Sequence, residues 1–352
     1  LLRHGDPRFH LHLQDARRFL AQSRARWDLI VNDCTDLAYR SDASLYTREF
    51  FLEMAQHLEP GGLAVAWVPL RGTSPQPSLR AVVAAFLQVF PESSLWVFDA
   101  FPTHFGMLVG GAQALGADCA GFRRQAWPEA VWRDLRGLGL ADAARLAASM
   151  HADAQALREY AASTPPHSDD RPIAEFLAAS DSADDASAYD FLARPEFQAP
   201  AVQMSCADSA QRRRLSLRLL QRPWLLAGHR AWSADDPKGA KTRYLQALAL
   251  DPEDAQVGSL LGRQRMQTGL AALLARRPAQ ALKLLESAPV GRDRDLLRLL
   301  ALLDLGRKLQ ARVLLDRLAP RLPPGLLAQL RWRTQLPGWL GALSSPLTLP
   351  SL

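Results

Sequence analysis

The sequence predicts an α/β domain followed by an all-helical one. Three observations carry that reading. Short apolar runs with β-branched residues alternate with helix-period segments between Phe9 and Val109, the pattern of a mostly parallel sheet with crossover helices. Beyond about residue 215 nearly every segment has helical spacing. The charge also changes sign along the chain. Residues 1–200 carry 18 Lys and Arg against 25 Asp and Glu, whereas residues 201–352 carry 24 against 11, so a net −7 is followed by a net +13.

In chain order, residues 8–14 alternate in character and read as a strand with Asp15 at its carboxyl end. Ala16 to Arg24 reads as a short helix. Trp27 to Asn32 is a buried strand that ends in Asp33-Cys34-Thr35-Asp36. Thr47 to Leu58 places Phe50, Phe51, Met54 and Leu58 on one helical face, and Pro60-Gly61-Gly62 is expected to stop it. Leu63 to Val68 is a second buried strand. Ser78 to Phe90 is a helix ended before Pro91. Ser94 to Asp99 and Phe105 to Val109 follow as an antiparallel hairpin at the sheet's edge. Residues 121–160 read as helices, and Ser163 to Pro172 as a loop. The expected organisation is an α/β domain with a helical extension over 1–180, a linker over 181–215, helical repeats over 216–335 and a tail over 336–352.

Composition excludes several classes. With 48% hydrophobic and 22% charged residues the chain is globular rather than disordered or collagen-like. No run of 18 apolar residues occurs. Cys34, Cys119 and Cys206 lie far apart, which argues against a disulfide scaffold and suits a reducing, cytoplasmic compartment. The basic second half carries no nucleic-acid-binding motif, so its charge reads as a solvated helical surface and no nucleic-acid partner is expected. His10 and His12 share one strand face but have no evident third ligand, and no metal is expected. Cys34 has no nearby base in sequence and reads as a small buried residue rather than a nucleophile. Trp332 and Trp339 read as helix-packing anchors.

The chemistry concentrates at the carboxyl ends of the first strands, where ligands sit in open α/β sheets. Asp33 and Asp36, three apart on a tight turn, can face one cleft. An Asp-x-x-Asp at a strand end serves equally to cap a helix or shape a turn. The surrounding strings narrow the choice. Leu13-Gln14-Asp15-Ala16-Arg17-Arg18-Phe19-Leu20, Asp28 to Asp36, Leu45-Tyr46-Thr47-Arg48-Glu49-Phe50-Phe51 and Leu58-Glu59-Pro60-Gly61-Gly62 resemble, in order, four motifs of the spermidine synthase (polyamine aminopropyltransferase) family. Ser168-Asp169-Asp170-Arg171-Pro172, with Glu175-Phe176, resembles an ending of spermidine synthase-like proteins, including those fused to membrane transporters.

That resemblance implies a methyltransferase-type, Rossmann-like fold. It also implies aminopropyl transfer from decarboxylated S-adenosylmethionine (or a related use of S-adenosylmethionine) to a diamine, with a small polyamine as substrate. By resemblance Asp33 is the catalytic acid/base and Asp36 holds the amine. Tyr46 walls the amine pocket, and Asp15 with Ala16 contacts the adenine of the co-substrate. The chain departs from the family pattern at Leu37, where Pro is usual, and at Ala66-Trp67, where Gln is usual. Asp15 follows Gln14 rather than Gly, and neither a Gly-x-Gly-x-Gly loop nor an acidic ribose-binding residue lies upstream of it. The expectation is therefore a chain that begins inside its first domain, after the first two strands, and that binds the sulfonium donor weakly. In the transporter-fused group the upstream segment is membrane-embedded, and the chain would lie on the cytoplasmic face. Two rival functions remain: an S-adenosylmethionine-dependent methyltransferase of a small amine, and a non-catalytic interaction module.

The helical part carries its own pattern. Trp224, Ala227-Gly228 and Ala231, then Ala240, Tyr244, Ala247 and Pro252, match the spacing of a tetratricopeptide repeat. Weaker copies follow at Gly269, Ala272, Ala281, Leu285 and Ala288, and around Ala311, Leu315 and Leu318. An ordinary helical bundle is the alternative. Repeats of this kind form a concave surface that binds a protein partner.

Overall fold

The computed structural model describes residues 7–33, 37, 40–71, 76–98, 102–113, 122, 127–137, 140–177, 185–197 and 209–335. They fall into two units, Leu1–Arg243 and Tyr244–Leu352.

The first unit begins with helix α1 (Ala16–Gln22) and strand β1 (Trp27–Asn32), followed by α2 (Arg40–Ala43), a 3-10 turn Ser44–Tyr46 and α3 (Arg48–Gln56). Strand β2 (Leu58–Pro69), α4 (Pro77–Val89), β3 (Ser94–Trp96) and β4 (Phe105–Gly111) come next. Then come α5 (Glu129–Gly137), α6 (Ala143–Ala148), β5 (Met150–Ala152), α7 (Ala154–Tyr160), α8 (Ile173–Leu177), α9 (Ser187–Leu192) and α10 (Ser209–Ser233). Helix α11 (Pro237–Leu250) contains the division between the units.

The sheet order is β1-β2-β4-β3-β5. β1 and β2 are parallel, and the β2–β4, β4–β3 and β3–β5 pairs are antiparallel. The expectation of a mostly parallel sheet is thereby corrected to a mixed one. The predicted hairpin forms, but inside the sheet rather than at its edge: β4 lies between β2 and β3, and β3 lies between β4 and β5, so every pair beyond β1–β2 is antiparallel. Two further corrections concern single elements. Residues 8–14, read as strand from their alternation, lie in neither helix nor strand, and Phe9, Leu11 and Leu13 are exposed. Alternation supplies a face but not the ladder partner that backbone N–H and C=O groups require. Pro60-Gly61-Gly62, read as a stop, lies inside β2 as an irregularity: the register jumps from Trp27↔Leu58 to Leu29↔Leu63. Gly61 takes φ +84, a conformation that only glycine reaches cheaply.

Burial alternates along β2, with Gly62, Ala64, Ala66 and Val68 inward. Such small residues let helices settle close to the sheet. On β4 a Cβ at Gly110 would stand 2.5 Å from Phe90 Cβ and 2.8 Å from Phe86 Cε1. Phe86 meets Phe51 edge-on at 4.9 Å, the favoured geometry of an aromatic pair. Tyr189, Phe191, Leu192 and Phe197, within the expected 181–215 linker, join this same core, as does Leu226 of α10.

The second unit runs through α12 (Ala255–Leu274), α13 (Pro278–Glu286), α14 (Arg292–Asp304), α15 (Lys308–Leu318), a 3-10 turn Ala319–Arg321 and α16 (Pro324–Gln335). Each of these helices packs on the next, and α12 also meets α14. Asp254 caps α12 by accepting from the backbone N–H groups of Gln256 and Val257 at 3.0 and 3.3 Å. Pro278 occupies the first turn of α13, where its missing N–H costs nothing. The repeated Ala-x-x-x-Leu pattern falls on α13 and α15, where Ala281, Leu285, Ala311 and Leu315 are all buried. At Gly269 an added Cβ would lie 2.8 Å from the Leu285 side chain, so glycine is what lets α12 and α13 approach so closely.

Candidate active site

Strand β1 ends at Asn32, and Asp33 follows it, exposed, at the carboxyl edge of the parallel pair. Asp36 and Cys34 lie outside the described residues. Leu37, at the position where Pro was expected, is buried in the core.

Bonds from Asn32, Tyr46 and Arg17 brace this edge and converge on the 3-10 turn Ser44–Tyr46. Asn32, nearly fully buried, donates from Nδ2 to the Leu45 carbonyl at 2.8 Å. Tyr46, with no exposed surface, donates its hydroxyl to the Trp67 carbonyl near the end of β2 at 2.5 Å. Arg17 donates from Nη1 to the Ser44 carbonyl at 3.2 Å. The carboxyl ends of both parallel strands and the first turn of α1 are thus tied to one three-residue turn. Tyr46 reaches that edge from within the core, where its ring meets Phe51 edge-on at 6.4 Å.

Asp15 is the N-cap of α1, its Oδ1 accepting from the Arg18 backbone N–H at 2.8 Å. Ala16, the first residue of the helix, is exposed. The resemblance motifs around residues 13–20 and 168–172 meet directly. Asp169 takes Arg17 in a two-pronged pair, Nη1 to Oδ1 at 2.9 Å and Nη2 to Oδ2 at 2.7 Å. The Asp169 backbone N–H donates to Glu49 Oε2 at 2.9 Å. The Arg17 fork outweighs the opposing effect of burial and holds the Asp169 carboxyl below its ordinary range. Burial pushes Glu49 up, but the backbone N–H groups of Asp169 and of Glu49 itself, with Arg48, bring it below its ordinary range.

His167 anchors the same loop from inside. Its ring is buried, with Nε2 2.9 Å from the Ala43 carbonyl and Nδ1 3.3 Å from the Ala174 N–H. Those partners require a neutral ring that donates from Nε2 and accepts at Nδ1. Burial holds its pKa below the ordinary value despite the neighbouring carbonyl and carboxylates. Its own backbone N–H reaches the Ala81 carbonyl at 3.0 Å, and its carbonyl accepts from the Arg48 N–H at 2.9 Å. Arg17, Asn32, Glu49, His167 and Asp169 all shape this edge, and sequence reasoning gave none of them a role. Arg17 and Asp169 did stand inside the recognised strings, but 152 residues separate them.

His10 and His12 are exposed, and the His12 ring lies 4.7 Å from that of Phe19. Among the described residues no group of three His, Cys, Asp or Glu side chains is arranged to hold a metal ion. Among them, too, no helix is long and apolar enough to cross a membrane. Trp332 is 57% exposed, and Trp339 lies outside the described residues.

Comparison with known proteins places the likeness on this edge. The spermine/spermidine synthase domain matches residues 2–74, which include Asp15, Ala16, Asp33, Asp36, Tyr46 and Trp67. A polyamine aminopropyltransferase of Sodalis glossinidius is 41% identical over 61 residues, 17% of this chain and 21% of that protein. That of Nitrosomonas europaea is 43% identical over 58 residues, 16% of this chain and 18% of its own length. That of Enterobacter sp. is 40% identical over 63 residues, 18% of this chain and 22% of its own length. The chain therefore spans about a fifth of the length of the curated relatives it matches.

Proposed function

We propose that the first unit is a spermidine synthase-like transferase that moves an aminopropyl group from decarboxylated S-adenosylmethionine to a diamine. The observation that supports this most is the coincidence of the matched segment, residues 2–74, with the braced carboxyl edge that presents Asp33. The neutral amine attacks the carbon beside the sulfonium. A new C–N bond forms as the C–S bond breaks, its electron pair passing to sulfur, which leaves as a neutral thioether. The attacking nitrogen sheds one proton, and Asp33 accepts it. Asp36 pairs with the distal ammonium of the diamine. Asp15 and Ala16 hold the adenine, and Tyr46 backs the amine site. No metal takes part in this scheme.

Incubating the chain with millimolar donor and putrescine, with mass-spectrometric detection of the thioether nucleoside and of spermidine, tests the reading. Asp33→Asn is expected to lower turnover by about a hundredfold or more, the usual range for losing a general base. Unchanged turnover in that variant would remove Asp33 from its role. S-adenosylhomocysteine and a methylated amine, formed instead from S-adenosylmethionine, would favour the methyltransferase alternative.

For residues 216–335 we propose tetratricopeptide-like repeats that bind a protein partner. The close approach at Gly269 and the buried Ala-x-x-x-Leu pairs on α13 and α15 support this.

A further inference from the structure

Asp15 and Ala16 have little of their own to hold them in place. Helix α1 is seven residues long and buries one side chain, Leu20. A helix this short is not stable by itself, so its orientation must come from tertiary anchors. One that fixes direction is the Arg17 guanidinium, which follows Ala16 directly. It is forked onto Asp169, it donates to the Ser44 carbonyl, and it lies 5.9 Å from the centre of the Phe50 ring. A two-pronged guanidinium–carboxylate pair sets direction as well as distance. Asp169 is itself oriented, because its backbone N–H is held by Glu49 and its loop by the buried His167. Ser44 begins the turn that braces Asn32 and Trp67. A continuous run of bonds therefore leads from the 167–169 loop, through Arg17, to both sides of the edge that carries Asp33.

We propose that Arg17 and Asp169 are positioning residues for the transfer, setting the Asp15–Ala16 turn against the Asp33 edge and thereby governing affinity for the nucleoside donor. This inference rests on the transferase reading above. Neither residue touches the reacting atoms, so their loss acts on donor binding and leaves the chemical step intact.

Three variants of the whole chain test it. Asp169→Asn removes the charge, Asp169→Glu keeps it, and Arg17→Lys keeps the cation but loses the fork. Two quantities are read: amide hydrogen exchange over residues 16–22 and 44–46, and the separate KM and kcat for the donor at saturating diamine. Asp169→Asn is expected to speed exchange in both segments and to raise the donor KM by about tenfold, with kcat within about twofold, because binding alone is weakened. Asp169→Glu should recover most of the affinity, and Arg17→Lys should fall between. Unchanged exchange overturns the inference. So does faster exchange with an unchanged donor KM, which would leave the pair a purely structural clasp, and so does a fall in kcat alone. If the unaltered chain forms no thioether nucleoside at millimolar donor, the transferase reading itself fails and takes the inference with it. That result is distinct from a variant that matches an active parent.

Discussion

The two units are held together in opposite ways. In the first, polar side chains stitch together segments far apart in sequence: Arg17 with Asp169, Asp169 with Glu49, His167 with Ala43, Tyr160 with Gln76, at separations of 152, 120, 124 and 84 residues. In the second, the bonds from Arg265 to the Ser287 carbonyl and from Arg312 to the Thr334 carbonyl each span 22 residues. The core there is almost wholly Leu and Ala, from helices that meet their neighbours in sequence. All eight histidines lie before residue 230, in the first unit. The contrast separates two ways to specify structure. A helical array needs only apolar periodicity and small residues at crossings. A sheet edge that presents chemistry needs directional bonds between remote segments, and those carry orientation that apolar contact does not.

The sharpest probe of the first core is Phe86→Ala. Phe86 is fully buried between Phe51 and Phe90, each 4.9 Å away, and its truncation is expected to cost about 3–5 kcal/mol. The shift in urea midpoint followed by near-ultraviolet circular dichroism measures it. Leu285→Ala should cost about 2–5 kcal/mol in the second core. Because contacts there are local, hydrogen exchange should quicken in α12, α13 and α14 while α16 keeps its protection. Quickening along the whole array would break the contrast.

Gly269→Ala pits two effects against each other. Alanine gains about 1 kcal/mol of helix propensity, but its Cβ would stand 2.8 Å from Leu285, and overpacking costs about 1–3 kcal/mol. A net loss of stability is expected. Combined with Leu285→Ala the loss should be less than additive, since the clash partner is gone.

The histidines give a pH signature confined to the first unit. Burial holds the pKa of His151 well below its ordinary 6.5, helped by Arg222 and His229, and burial also lowers that of His167. Both are neutral when folded, whereas the unfolded rings take up protons near 6.5. Their contribution to stability is therefore complete above that pH. It is lost as pH falls below 6.5 toward the lowered folded values, by about 1.4 kcal/mol per pH unit for each proton bound on unfolding. Exchange measured at pH 7 and pH 5.5 should show this loss around β5 and the 163–172 loop but not in α12–α16. Smallest of all, Asp169→Asn should shift global stability by less than about 1 kcal/mol, because the Arg17 pair is open to solvent on one side, with 27% and 40% of the two side chains exposed. A larger loss would make the clasp a structural keystone rather than a positioning device.

Much of the fold was legible in the sequence. Trp27–Asn32 reads as a strand from its apolar run, and the Phe50, Phe51, Met54 spacing reads as a helix, because each signal is local and strongly periodic. The hairpin of β3 and β4 was legible from its short connection. Met150–Ala152 was not, since three residues between Ala-rich helices carry no period of their own. Asp33 could be placed at a strand's end from sequence. Tyr46 could be named, but not that its hydroxyl is held by Trp67.

What the sequence determined by itself was the chemistry on offer and the repeat of small residues along the helices, because both are patterns within a few residues of one another. Only the tertiary structure decided three things. It set the direction of the added strands, it left residues 8–14 outside any strand, and it joined Arg17 to Asp169. Each depends on which remote segment arrives alongside. Hydrogen bonds and strand pairing take their partner from the folded neighbourhood, and no local period encodes it.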